Sequence, residues 1–159
     1  MIYTPLTKKA LSLAFEAHKN QLDKSELPYI FHPFHLAEQM GEKYTTCVAL
    51  LHDVVEDSKY TIQDLIELGF PSQVIEAIKV LIHSNDIPYF DYINRVKMNP
   101  MATRVKIVDL IHNSDLTRLN KISTDDLRRI DEYKKALLIL EKKLNRLGVR
   151  KIIIGVRTF

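Results

Sequence analysis

The chain is poor in the residues that interrupt or staple a fold. Its 159 residues include no tryptophan, one cysteine, four glycines and six prolines. A lone cysteine, Cys47, excludes an internal disulfide and reads as a small apolar packing group in a reducing cytoplasm. Few glycines and prolines leave few places where a helix must stop. Long apolar runs are missing too. Lys, Arg, Asp or Glu breaks each one short of the ~20 residues a membrane-spanning helix needs. The start, Met1-Ile2-Tyr3-Thr4-Pro5, lacks the basic and then apolar blocks of a signal peptide, so a cytoplasmic location is expected. Net charge is small as well: 23 basic against 20 acidic residues leaves +3, too little to argue for nucleic acid and no obstacle to a small anion. The late basic residues, such as Arg128-Arg129 and Lys134-Lys135, alternate with acids and read as a solvated helix face.

What remains suits a single globular domain of mainly helical structure, with 46% hydrophobic and 27% charged residues. Thr4-Pro5 reads as a cap and first turn of a helix running to about Gln21, with Leu6, Ala10, Leu13, Ala14 and Ala17 on one stripe. Leu22 to His32 lacks that period and reads as a loop. Helices are then expected over Pro33–Met40, Tyr44–Asp57, a short segment after the Thr61 cap, Pro71–His83, Pro88–Met98 and Pro100–Asn113. The last helix is expected from Ser123 or Thr124 to Leu147-Gly148. Its stripe reads Leu127, Ile130, Tyr133, Leu137, Leu140, Leu144 and Leu147. The expectation is one all-α domain over residues 1–159, with a core over about 4–147. A short tail, 148–159, is irregular or β-prone because of Ile152-Ile153-Ile154.

The chemistry concentrates in three places. His52-Asp53 ends an apolar run, His32 lies upstream before Pro33, and Asp109 lies downstream within Val105–Asn113. An adjacent imidazole and carboxylate are costly to bury unless something pairs them, and a divalent cation would. Two imidazoles and two carboxylates suit Mn²⁺, Fe²⁺ or a similar octahedral ion better than structural zinc. Spacing alone leaves His32 and His35 as alternatives. Glu56 and Asp57 fall a turn beyond His52-Asp53, where helical spacing brings all four to one patch. A hydrolase needs that division: a cation to acidify water and a separate carboxylate to handle protons. Lys106 and Asn113 flank Asp109 at helical spacing and could meet a phosphate and a ribose or base. The duller alternative is a surface lysine and a helix-ending asparagine. Lys24-Ser25 adds a cation and a hydroxyl in a loop. Tyr89, Tyr92 and Arg95 at helical spacing read as core rather than a base-stacking platform. His18, His35, His83 and His112 read as packed or surface histidines.

In their order, Ala17-His18…Gln21…Lys24-Ser25…Pro28-Tyr29-Ile30-Phe31-His32-Pro33, then Ala49–Asp57, then Val105–Asn113, these residues resemble the HD-domain hydrolases of the RelA/SpoT type. The resemblance covers about residues 7 to 120. It implies an HD-type helical bundle and a hydrolase-only, stand-alone member. It also implies that His32, His52, Asp53 and Asp109 hold one Mn²⁺, another divalent metal remaining an option. Glu56 and Asp57 would position or activate water. Lys24, Ser25, Lys106 and Asn113 would face the nucleotide. The implied reaction removes the 3′-pyrophosphate of the stringent-response alarmone (p)ppGpp, giving GDP or GTP. The implied partner is a small nucleotide, without nucleic acid or membrane, and homo-oligomerisation is left open. The chain departs from the pattern at Asp23, Glu26, Leu110 and Ile82, where a basic residue, a glycine, an arginine and a threonine are common. An acid at 23 predicts weaker recognition of a guanine nucleotide. The competing readings are an HD phosphohydrolase for another nucleotide, such as a nucleoside monophosphate or NADPH, and a non-catalytic nucleotide-binding module.

Overall fold

The computed structural model describes residues 1–146. Among them lie nine α-helices and one 3₁₀ turn: α1 (Pro5–His18), α2 (Phe31–Glu38), α3 (Lys43–Leu51), α4 (Val54–Asp57), α5 (Ile62–Glu67), α6 (Ser72–Leu81), α7 (Tyr89–Val96), α8 (Pro100–Asn113), η1 (Leu116–Arg118) and α9 (Thr124–Arg146). The fold is all-α. No helix among the described residues is long and apolar enough to cross a membrane.

Local chemistry explains most boundaries. Thr4 and Thr7 form a reciprocal capping box ahead of Pro5, and Thr61 and Asp64 form another ahead of α5. Asn99 caps α8, its side-chain oxygen accepting from the N–H of Ala102. Gly69 takes φ +77° just after α5, a left-handed backbone that glycine adopts without cost.

The core is organised around α3, whose residues from Thr45 to Leu51 are all buried. Helices α1, α2, α6 and α8 all pack on it. A helix buried all round offers an apolar run rather than a stripe, as Cys47-Val48-Ala49-Leu50-Leu51 does. Cys47 is fully buried, and burial pushes its thiol up to about 11, so it packs as an apolar group. Tyr92 is also core, its hydroxyl donating to the Leu81 carbonyl at 2.7 Å. Helix α9 closes the bundle against α7 and α8.

Three expectations need correction. The helix expected over Tyr44–Asp57 is two helices. Asp53 takes φ −97°, ψ −7°, the bridge region between them, and turns its carboxylate toward His52 and His32. Apolar periodicity runs on through Val54 and Val55 and conceals the break. Helix α1 ends at His18 rather than near Gln21, because the Gln21 N–H bonds the His18 carbonyl and starts a turn. On α9 the buried residues are Asp126, Ala136 and Leu140, with Tyr133 and Leu137 half-buried, while Leu127 is 53% exposed. A buried aspartate inside the stripe shifts the inward face away from Leu127. The β-prone tail and the Leu147-Gly148 helix end lie outside the described residues.

Candidate metal centre and adjoining cleft

Three segments of the core meet at one point. α2 contributes His32, the turn between α3 and α4 contributes His52 and Asp53, and α8 contributes Asp109. His32, His52 and Asp109 are at most 5% exposed. Each offers a ligand atom, and these atoms lie within 4.8 Å of one another. His32 Nε2 stands 3.3 Å from Asp109 Oδ1 and 3.6 Å from Asp53 Oδ2, while His52 Nε2 stands 3.0 Å from Asp53 Oδ2. Asp53 thus borders both imidazoles.

Tautomers decide whether these nitrogens can ligate. His52 Nδ1 donates to the Ala49 carbonyl at 2.8 Å, which leaves Nε2 as the lone-pair nitrogen of the neutral ring. That Nε2 is buried and makes no aligned hydrogen bond, even though Asp53 is close. An orphaned imidazole nitrogen facing carboxylates is what a cation site leaves when only the protein is considered. His32 is set by a neighbour: its Nδ1 lies 2.8 Å from Nδ1 of His112. Burial, with Arg118 nearby, pulls His112 down to about 3 and keeps it neutral. A neutral His112 can accept from His32 Nδ1–H, the tautomer that leaves His32 Nε2 free for an ion. The donor set fits a divalent cation.

The electrostatics agree. Burial alone would hold His52 neutral, but Asp53 outweighs it and raises the imidazole to about 9. Asp53 itself, penalised by burial, is held down at about 2 by His52 and His32. Asp109 is buried too, yet Lys106 and the two histidines hold its carboxyl below the usual range. The cluster keeps the buried Asp109 and the part-buried Asp53 ionised where a cation would bind.

Each candidate residue has a definite place. Lys106 Nζ donates to Asp109 Oδ2 at 2.7 Å, and Asn113 Nδ2 donates to Asp109 Oδ1 at 2.6 Å. Both grip the carboxylate from the helical positions that sequence spacing singled out, and Asn113 also borders the adjoining cleft. Glu56 is exposed and accepts the His83 N–H at 3.2 Å. Partial desolvation of its carboxyl by the surrounding chain, with Asp53 and Asp57 nearby, raises its pKa against that hydrogen bond. Asp57 is exposed at the end of α4. Lys24 and Ser25 lie apart from the cluster, in the loop after α1. Lys24 pairs with Asp126 at 2.8 Å, and the Ser25 hydroxyl donates to the Arg118 carbonyl.

Several contributors carried no role in the sequence. Tyr29 lies in the quoted Pro28–Pro33 run, and its hydroxyl donates to Asp53 Oδ2 at 2.5 Å. His112 stacks between His32 and His35, with centroids 5.0 and 4.3 Å away. Arg118 sits on η1, a turn with no apolar period to announce it. A cleft of about 290 Å³ joins these parts, with His32, Tyr29 and Asn113 at its inner end and the Lys24 loop, η1 and the start of α9 as walls.

The all-α bundle thus gathers two histidines and two aspartates from separate segments around one point. The chain is related in sequence to proteins of the SpoT type. It is 29% identical over 160 residues to the bifunctional (p)ppGpp synthase/hydrolase SpoT of Escherichia coli, covering 91% of this chain and 22% of that protein. It is 30% identical over 155 residues to a guanosine-3′,5′-bis(diphosphate) 3′-pyrophosphohydrolase of Haemophilus influenzae, covering 88% and 22%. Similarity to a probable GTP pyrophosphokinase of Mycobacterium leprae reaches 42% over 121 residues, covering 68% of this chain and 15% of that one. The chain thus spans about a fifth of the length of the curated relatives it matches. In structure it matches a metazoan SpoT ortholog, described as hydrolysing ppGpp, with a TM-score of 0.69 at 19% identity over 94% of this chain and 99% of that one. No family model matches the chain.

Proposed function

We propose that this chain is a single-domain, metal-dependent phosphohydrolase that removes the 3′-pyrophosphate of (p)ppGpp, giving GDP or GTP and pyrophosphate. The observation that carries the reading is the orphaned Nε2 of His52, set among His32, Asp53 and Asp109. The names of the sequence relatives agree with it. In this reading the four residues hold one divalent ion, with Mn²⁺ first among the choices because the donors are mixed nitrogen and oxygen. Such an ion, when bound, supplies positive charge at the phosphorus under attack and acidifies water.

The chain's own residues do the rest. Tyr29 orients Asp53, Lys106 and Asn113 fix Asp109, and His112 fixes His32. Glu56 is the proton-handling carboxylate, because its raised pKa brings it nearer neutrality than an ordinary glutamate. Asp57 supports it in positioning water. Asn113 also reaches the nucleotide at the cleft's inner end, and Lys24 and Ser25 form its outer wall. Lys106 acts from behind Asp109 by offsetting negative charge at the centre. The location is cytoplasmic.

A second reading is hydrolysis of a less charged nucleotide, such as a nucleoside monophosphate. It is favoured by one observation: Lys24, Arg118 and Arg129 in the cleft each face a carboxylate. Incubation of the purified chain with ppGpp, with Mn²⁺ and then with chelator, separates the readings. Mn²⁺-dependent release of GDP and pyrophosphate supports the first. No release from ppGpp alongside turnover of a monophosphate establishes the second, and tight binding without turnover of either makes the domain a binding module.

A further inference from the structure

The cleft leaves the metal centre along the Lys24 loop, η1 and α9, and its walls carry three cations, Lys24, Arg118 and Arg129. Two of them are firmly committed. Lys24 and Arg129 both pair with Asp126, which is itself anchored by the Ser123 N–H at 3.0 Å and the Ser123 hydroxyl at 2.6 Å. Arg118 is held differently. Its Nη1 donates to the His112 carbonyl at 3.1 Å, while its Nη2 reaches Asp23 Oδ2 only at 3.5 Å. The Asp23 carboxylate has other work: its Oδ1 accepts the N–H groups of Ser25 at 2.8 Å and Leu27 at 3.0 Å, and so shapes the loop. The loop also reaches η1 through the Ser25 hydroxyl on the Arg118 carbonyl.

The result is a guanidinium whose base is fixed and whose tip is loosely matched. Arginine presents five N–H donors in a planar fork, and the contacts to the His112 carbonyl and Asp23 leave donors of that fork unused. Its side chain is 28% exposed in a cleft that also contains His32 and Asn113. A long ion pair of this kind is readily exchanged for a short bidentate one with phosphate.

We propose that Arg118 binds the phosphate group of the substrate that is not cleaved, exchanging its weak pairing with Asp23 for that phosphate. Asp23 thereby tunes how strongly the cleft attracts phosphate charge. This rests on the nucleotide reading above. It makes the Asp23–Arg118 pair a determinant of which nucleotide is held, separate from the groups at the reacting phosphorus.

The test is calorimetric titration of GDP, and of guanosine as the phosphate-free control, into the full chain and two variants. Arg118→Gln should weaken GDP binding by about tenfold while leaving guanosine unchanged, the loss expected for one charge-assisted contact. Asp23→Asn keeps the oxygen that shapes the loop and removes the competing charge, so it should tighten GDP several-fold, a gain that misfolding cannot produce. GDP affinity unchanged within about twofold in both variants overturns the proposal. Equal weakening of GDP and guanosine in Arg118→Gln, without tightening in Asp23→Asn, also overturns it, by making Arg118 a support for the cleft wall. A wild-type chain that binds neither GDP nor guanosine overturns the underlying nucleotide reading, a result distinct from binding that ignores Arg118.

Discussion

The two ends of the cleft are built by opposite means. At the metal centre, His32, His52 and Asp109 are nearly inaccessible, mounted on helices whose other faces form the core, and each is gripped by a second residue. At the outer end the wall is a loop, a 3₁₀ turn and the first turns of α9, tied together by ion pairs that stay partly exposed. Core packing holds positions to a fraction of an ångström, whereas surface pairs are worth about 0–1 kcal/mol each. The candidate metal ligands therefore sit where geometry is expensive to change. The groups proposed to select the substrate sit where change costs little, and the departures at Asp23 and Glu26 fall at that outer end.

The sharpest losses are expected at and beside the inner end. Glu56→Gln should keep the divalent ion and the fold yet lower turnover by about 10²–10⁴-fold, the usual worth of a positioned proton-handling group. Steady-state rates beside a metal assay check this, and full activity removes Glu56 from the chemistry. Tyr29→Phe deletes the hydroxyl that orients Asp53 and should weaken metal affinity by about 10–100-fold. Isothermal titration with Mn²⁺ measures it, and unchanged affinity would mean that the Tyr29 hydroxyl does not set the position of Asp53.

Acidity probes the same end more gently. An incoming cation must displace the proton of His52, held at about 9 without metal, so apparent affinity should rise up to about tenfold per pH unit below 9 and level off above it. Without metal the sign reverses for stability. A pKa raised above the unfolded value of about 6.5 gives stability that is complete below that pH and is lost as pH rises through 9. Paired titrations and melting curves from pH 6 to 10 should therefore slope in opposite directions.

The smallest effect belongs to the outer end. Glu26 has φ +65°, a left-handed conformation that costs a residue with a Cβ about 1–2 kcal/mol. Glu26→Gly removes that cost against some added backbone entropy, for a net gain of about 0.5–1 kcal/mol in a denaturant melt. No gain would mean that the glutamate side chain itself stabilises the loop.

Much of the inner end was readable in advance, because helical spacing alone associates Lys106 and Asn113 with Asp109, and the His52-Asp53 pair is conspicuous at the close of an apolar run. Spacing could not say which way the first two point. That depends on the carboxylate being buried, and burial is a property of the packed bundle. The break at Asp53 was hidden for a related reason, since Val54 and Val55 continue the apolar pattern across it. The outer end was nearly silent. The Asp23–Arg118 contact joins residues 95 positions apart, and Asp126 reads as first-turn helix chemistry until Lys24 is found on it, 102 positions away.

The central claim is that these buried groups hold one divalent ion. Counting Mn²⁺ bound per chain by electron paramagnetic resonance, in the wild type, His52→Ala and Asp53→Ala, tests it most directly. The account predicts one tightly held ion in the wild type and its loss in both variants, each still folded by circular dichroism. A full equivalent of Mn²⁺ retained by both variants would contradict it.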